Sequence, residues 1–239
     1  MFNRVIVAVV GSSNSGKTTA VEALIQGLTK NGYTVASAKR IPEPDFTIDT
    51  KGKDTWRHAN AGASTILSVA PNELTTIKKV VTKKYTLEQL IAQFPDELDV
   101  IIIEGFKDLV GPDMTIPKVV AIKTASEASE ALNRYKNIMA FITHSSDQKI
   151  EAEFPIINAM KEPEKLVELV TKNIAVLIER KRQRNEKITI QVDEKILPLG
   201  EFVQDIVRNS VLGMVGSLKG TKIEGEEKVS IVIKKMTND

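Results

Sequence analysis

The chain has 239 residues, 42% hydrophobic and 27% charged, a composition that supports a packed core and excludes a disordered chain. Its 33 basic residues nearly match its 31 acidic ones, so a net charge of +2 gives no electrostatic footprint for nucleic acid or an acidic membrane surface. No cysteine and only two histidines, His58 and His144, exclude a disulfide framework and a thiolate metal centre.

The first apolar run, Val5-Ile6-Val7-Ala8-Val9-Val10, predicts a buried strand. It is too short for a signal h-region or a membrane span, so the expected location is cytoplasmic. Next comes Gly11-Ser12-Ser13-Asn14-Ser15-Gly16-Lys17-Thr18-Thr19, which satisfies G-x-x-x-x-G-K-[ST]. Val21, Leu24, Ile25 and Leu28 then follow at helical spacing. Strand, loop and helix in that order are the context a phosphate-binding loop requires. Gly11 and Gly16 let the backbone fold back, so that N–H groups from Ser12 to Thr19 and the positive helix end can surround a phosphate. Lys17 would reach the β and γ phosphates, and the Thr18 hydroxyl would hold Mg²⁺ between them.

Gly32 ends the helix, and residues 34–38 predict the next strand, with Lys39 and Arg40 at its carboxyl end, where ligands bind in open α/β sheets. Lys39 and Arg40 are candidate phosphate or substrate partners, Lys39 the one carried forward as a binding residue; solvated loop charges are the alternative. Pro42 and Pro44 interrupt regular structure. The charged loop that follows offers Asp45, Asp49, Lys53 and Asp54 as further candidate binding residues. Residues 56–61 predict a short helix in which Trp56 packs, residues 64–69 a strand, and residues 74–81 another strand or hairpin arm.

Thr86 and Gln89 form a capping box for a helix running to about Phe94. Residues 99–103 are a strand apolar enough to be covered on both faces, and it ends in Glu104-Gly105-Phe106-Lys107. An acid there, downstream of a phosphate loop, is the candidate to organise Mg²⁺ or orient a water, so Lys17 and Glu104 are the candidate catalytic pair. Thr18 and Glu104 are the candidate metal ligands.

Residues 118–122 and 138–143 predict further strands, Thr124 and Glu127 a capped helix, and Pro163 the start of a helix to about Arg182. The loop from His144 to Asp147 lacks the N-K-x-D pattern that would identify a base. The expected fold is therefore α/β, a P-loop NTPase with a mostly parallel sheet between helices over residues 1–184. Beyond it, residues 188–192 and 196–197 predict a hairpin. Phe202, Ile206, Val207, Met214, Val215 and Leu218 share one helical face, and Val229, Ile231 and Ile233 alternate as a closing strand. This small α+β extension, residues 185–239, is near the size limit for folding alone. It is expected to pack on the main domain or on a second subunit.

Three landmarks together resemble the molybdopterin-guanine dinucleotide biosynthesis protein B family. They are the phosphate loop, the segment from Asp45 through Gly52-Lys53-Asp54-Thr55 to Arg57 and Ala61-Gly62-Ala63, and the strand ending Glu104-Gly105-Phe106-Lys107. The resemblance covers about residues 5–175. It implies a homodimeric, weakly hydrolysing GTP-binding protein that, with Mg²⁺, assists a separate molybdopterin guanylyltransferase in attaching GMP to the molybdenum or tungsten pterin. Strands of the middle region would cross between subunits. The sequence departs from the pattern at Arg40-Ile41-Pro42, where histidines are expected. Two other readings of the loop are a small-molecule kinase and a metal-delivery GTPase; the scarcity of Cys and His speaks against the second.

Overall fold

The computed structural model describes residues 5–95, 97–144, 153–185, 190–192, 195–197 and 199–218. The chain divides into two compact units, residues 1–179 and 180–239.

In the first unit, β1 (Val5–Gly11) leads through the phosphate loop into α1 (Lys17–Lys30) and then β2 (Val35–Lys39). A short helix α2 (Asp54–Asn60) precedes a hairpin of β3 (Thr65–Ala70) and β4 (Glu73–Lys78), which forms its own two-stranded antiparallel sheet. There follow α3 (Leu87–Ile91), β5 (Val100–Glu104), α4 (Lys107–Val110), β6 (Lys118–Ala121), α5 (Ala125–Arg134), β7 (Ile138–Thr143) and β8 (Ile156–Asn158). Helix α6 (Pro163–Asn185) continues across the boundary between the units.

The main sheet has the order β2-β5-β1-β6-β7-β8, and every pairing in it is parallel. The expected α/β fold is what the structure has. All residues of β1, β5 and β7 are buried, because helices cover the sheet on both sides. Successive residues of β1 feed opposite cores. Val5, Val7 and Val9 pack with Leu24 and Leu28 of α1 and with Leu166, Val170, Ile174 and Ile178, spaced four apart on α6. Ile6, Ala8 and Val10 pack with Leu87 and Ile91 of α3 and with Ala128 and Ala131 of α5. Each such side chain, fully buried, contributes about 1.5–3 kcal/mol.

Local signals place the helix starts. Thr86 and Gln89 make both halves of the expected capping box, and Thr124 Oγ1 accepts from the Glu127 N–H at 3.2 Å. Helix α3 is shorter than expected, ending at Ile91, because the Gln93 and Phe94 N–H groups turn back to the Leu90 and Ile91 carbonyls. Helix α2 starts at Asp54, two residues early, and buries no residue; Trp56 is half-buried and His58 exposed. Lys118, expected only as the leading residue of a strand, is fully buried. Its Nζ donates to the Asp113 carbonyl at 2.6 Å and the Ile116 carbonyl at 2.8 Å. Burial lowers its pKa to about 8, against the opposing Asp113 carboxylate.

In the second unit β9 (Ile190–Val192) and β10 (Lys195–Leu197) pair antiparallel as the expected hairpin, and α7 (Glu201–Gly216) follows. On this helix Phe202, Ile206 and Met214 are exposed. The strand expected around Val229, Ile231 and Ile233 lies outside the described residues. Among the described residues no helix is long and apolar enough to cross a membrane.

Candidate functional site

The parallel register brings the carboxyl ends of three strands together. Val9 of β1 stands beside Glu104 of β5, and Glu104 beside Lys39 of β2, while Gly11 at the end of β1 pairs with Ala121 of β6. The strand order switches around β1, which lies between β5 and β6, and the carboxyl edge at such a switch point is the usual place for a ligand crevice.

The loop leaves the sheet at Gly11, whose φ is 143° and whose added Cβ would lie 2.3 Å from the Ala121 carbonyl oxygen, so only glycine fits. One of its carbonyls is held within the loop: the Ser12 carbonyl accepts from Ser15 Oγ at 2.7 Å and from the Lys17 ammonium. Asn14 is held at a φ of 54° and Gly16 at 90°. Helix α1 begins with no side-chain cap and no acid in its first turn, which leaves its positive end unneutralised. A glycine-bent loop that leads into an uncapped helix start is an anion cradle.

Beside the cradle, the Thr18 hydroxyl donates to Glu104 Oε1 at 3.2 Å and Oε2 at 3.3 Å, and Lys39 Nζ pairs with Glu104 Oε1 at 3.2 Å. Glu104 is buried, so the two partners compensate a carboxylate that would otherwise be costly there. Burial lowers the Lys17 pKa, and Lys107, Lys39 and Lys123 push it the same way while the Glu104 carboxylate opposes them. Excess cationic charge of this kind is relieved by an anionic ligand.

These groups open into a cavity of about 780 Å³ whose lining includes Gly11, Ser13, Asn14, Ser15, Gly16, Lys17, Thr18, Thr19, Lys39 and Glu104. Ser12 is absent from the lining, and its hydroxyl is buried with no hydrogen-bond partner. Asp45, Asp49, Lys53 and Asp54 are also absent from it. Asp45, Lys53 and Asp54 are exposed, Asp54 pairing with Arg57 at 3.7 Å, and Asp49 accepts from Thr55 Oγ1 at 2.7 Å. The lining instead adds Arg40, Lys107, Asp108, Arg134 and His144. Lys107 belongs to the landmark Glu104-Gly105-Phe106-Lys107, the sequence places Arg40 at the end of its strand, and His144 directly follows β7 at this edge. Asp108 and Arg134 carry no local signal.

Known proteins sharpen this geometry. The family model described as "Molybdopterin guanine dinucleotide synthesis protein B" matches residues 6–144, from β1 through the end of β7. The chain belongs to that family. A Bacillus subtilis relative, one of those bearing the biosynthesis adapter name, is 33% identical over 64% of this chain and 85% of its own length. A Methanocaldococcus jannaschii protein, provisionally given the same adapter name, is 29% identical over 97% of this chain and 99% of its own, so its similarity extends through the second unit. Among solved structures, that of Bacillus subtilis MobB, 29% identical, superposes with a TM-score of 0.56, covering 70% of this chain and 96% of that one.

Proposed function

We propose that this protein binds GTP with Mg²⁺, hydrolyses it slowly, and serves as an adapter to a molybdopterin guanylyltransferase in making the guanine dinucleotide form of the pterin cofactor. The observation that carries the reading is the convergence of Lys17, Thr18 and Glu104 at the switch point of a sheet belonging to this family. The adapter names of the relatives support the pathway.

The loop N–H groups and the α1 N-terminus would hold the phosphate oxygens, and Lys17 would leave the Ser12 carbonyl to meet the β and γ phosphates. The Thr18 hydroxyl and the Glu104 carboxylate, hard oxygen donors within 3.3 Å of one another, fit Mg²⁺ and would hold it. When bound, the ion supplies charge neutralisation between the phosphates. Lys39 keeps Glu104 aimed at Thr18 and stands ready as a further cation for the phosphates. Slow turnover follows because neither arginine of the lining, Arg40 or Arg134, reaches the phosphate loop; both are directed to Asp108.

A homodimer is supported by the β3–β4 hairpin, on which the cross-strand partners Val69 and Leu74 and their neighbour Leu67 are exposed. Asp45, Lys53 and Asp54, exposed and outside the cavity, are assigned to the partner or pterin side of the reaction.

The deciding experiment has two parts. Titration with GTP and with ATP, each with Mg²⁺, should show GTP preferred. Adding the protein to a guanylyltransferase reaction should raise the yield of guanine dinucleotide cofactor. A small molecule phosphorylated stoichiometrically with no partner present would replace this reading with a kinase.

A further inference from the structure

The cavity is longer than the phosphate loop needs. Beyond Lys17, Thr18 and Glu104 its lining continues over Arg40, Lys107, Asp108 and Arg134, which come from three separate places: the exit of β2, the turn after β5 and the last turn of α5. None of these four contacts the loop by hydrogen bond or ion pair in the described structure.

Their convergence is built. Gly105 and Phe106 both adopt left-handed backbone, at φ of 89° and 56°, and for phenylalanine that conformation is strained. The strain is held by burial: the Phe106 ring sits in the core beside Ile103 and Val110. The result is a sharp turn in which Lys107 and Asp108 follow directly after the buried strand. Asp108 then holds two guanidinium groups: its Oδ1 accepts a hydrogen bond from Arg134 Nη2 at 2.9 Å, and its Oδ2 forms an ion pair with Arg40 Nη1 at 3.5 Å. The Arg134 guanidinium also lies 5.8 Å from the centre of the Tyr135 ring, within cation–π range.

The charges do not cancel. Two guanidinium groups pair with Asp108 and Lys107 lines the cavity with them, and Glu43, the other carboxylate of the lining besides Glu104 at the phosphate loop, still leaves these residues with a net positive charge. Both arginines are about half exposed, at 47% and 51%, so their other N–H groups are within reach of a ligand in the cavity. Planar forks approaching from two sides, with a point charge beside them, match the oxygens of a phosphate dianion better than the two oxygens of a carboxylate.

We propose that Arg40, Lys107 and Arg134, organised around Asp108, form a second anion site that takes a small phosphomonoester while the loop holds the triphosphate. This rests on reading the loop as the triphosphate site, and it makes the cavity a place where two phosphorylated ligands lie side by side.

The test is a calorimetric titration of phenyl phosphate, with phenol as the uncharged control, into the full chain saturated with Mg²⁺ and a slowly hydrolysed GTP analogue. Phenyl phosphate should still bind, and phenol should not. The double variant Arg40→Ala, Arg134→Ala should weaken phenyl phosphate about tenfold or more, the scale of lost charge-assisted hydrogen bonds, and the triphosphate far less. Asp108→Asn removes the competing carboxylate and should tighten phenyl phosphate, a gain that a misfolded protein cannot show. In the Lys17→Ala protein, which should lose the triphosphate, phenyl phosphate binding should persist. The proposal is overturned if bound GTP analogue abolishes phenyl phosphate uptake, or if the double variant binds it as tightly as the parent. If instead the parent takes no triphosphate, the loop reading fails alone, and the arginine variants still report on the second site without nucleotide.

Discussion

The phosphate loop and the loop over residues 45–54 are both short, polar and charged, yet the fold treats them in opposite ways. The first is strung between a fully buried strand and the helix packed on it, so its backbone has one conformation and its side chains meet groups far away in sequence, Thr18 with Glu104 above all. The second pairs locally, Asp49 with Thr55 and Asp54 with Arg57, and Asp45, Lys51, Lys53 and Asp54 are exposed. Charged residues become a chemical site where buried strands force them to converge. Elsewhere they pair with their neighbours or with water.

The sharpest way to break this contrast is Lys17→Ala. Removing a charge that faces the cavity should weaken GTP binding by about a hundredfold or more, since several charge-assisted bonds are lost together. The melting temperature should hold, because Lys17 meets only the Ser12 carbonyl of its own loop. Calorimetric titration and thermal unfolding read both.

A matched glycine pair comes next. Gly11→Ala should destabilise the fold by about 2–4 kcal/mol, because its Cβ would stand 2.3 Å from backbone of β6 and the strand would have to move. Gly52 also has a positive φ, 87°, but nothing lies within 4 Å of its would-be Cβ, so Gly52→Ala should cost only about 1 kcal/mol of backbone strain. Urea unfolding of the two variants measures the difference, and equal costs would show that the two loops are not constrained differently.

Glu104→Gln keeps the shape of the side chain and removes its charge. Hydrolysis with Mg²⁺ should fall about tenfold or more while GTP affinity changes less, because the phosphate grip belongs to the loop. Single-turnover assays beside titrations separate the two.

The buried Lys118 supplies a smaller effect that depends on pH. Its folded pKa, about 8, lies below the ordinary lysine value of 10.5, so between those pH values the unfolded chain holds a proton that the folded chain has released. Stability from this group therefore rises with pH across that window, by up to about 1 kcal/mol per pH unit. Unfolding free energies of the parent and Lys118→Met, compared from pH 8 to 10.5, should diverge in that sense, the variant lacking the rise.

The comparison also explains what the sequence could disclose. The strands β1 and β5, helix α1 and the caps at Thr86 and Thr124 follow from apolar runs and short-range hydrogen-bond partners, all visible within a few residues. Glu104 was legible because a buried strand has only one place to end. The four residues of α4 are too few to show a period, and Lys118 looks like any strand-leading lysine until the carbonyls of Asp113 and Ile116 are in place. Arg134 joins the cavity only through Asp108, 26 residues earlier, a pairing that no local pattern encodes.

The smallest expected effect on nucleotide binding probes the 45–54 loop from just outside it. Thr55 donates to Asp49 Oδ1 at 2.7 Å, pinning the loop to the first turn of α2, and Asp49 Oδ2 is buried with no hydrogen-bond partner. Thr55→Val keeps the side-chain shape and deletes the donor, so the Asp49 carboxylate loses the Thr55 hydrogen bond at a cost of about 1–2 kcal/mol, seen as a lower melting temperature. Nucleotide affinity should stay within about twofold, a few tenths of a kcal/mol, because no residue from 45 to 55 lines the cavity. Stimulation of the guanylyltransferase is the third reading and the informative one. If it falls while GTP binding holds, the charged loop belongs to the partner or pterin side, as assigned above. If GTP binding itself collapses, the two loops form one site, and the contrast between them does not hold.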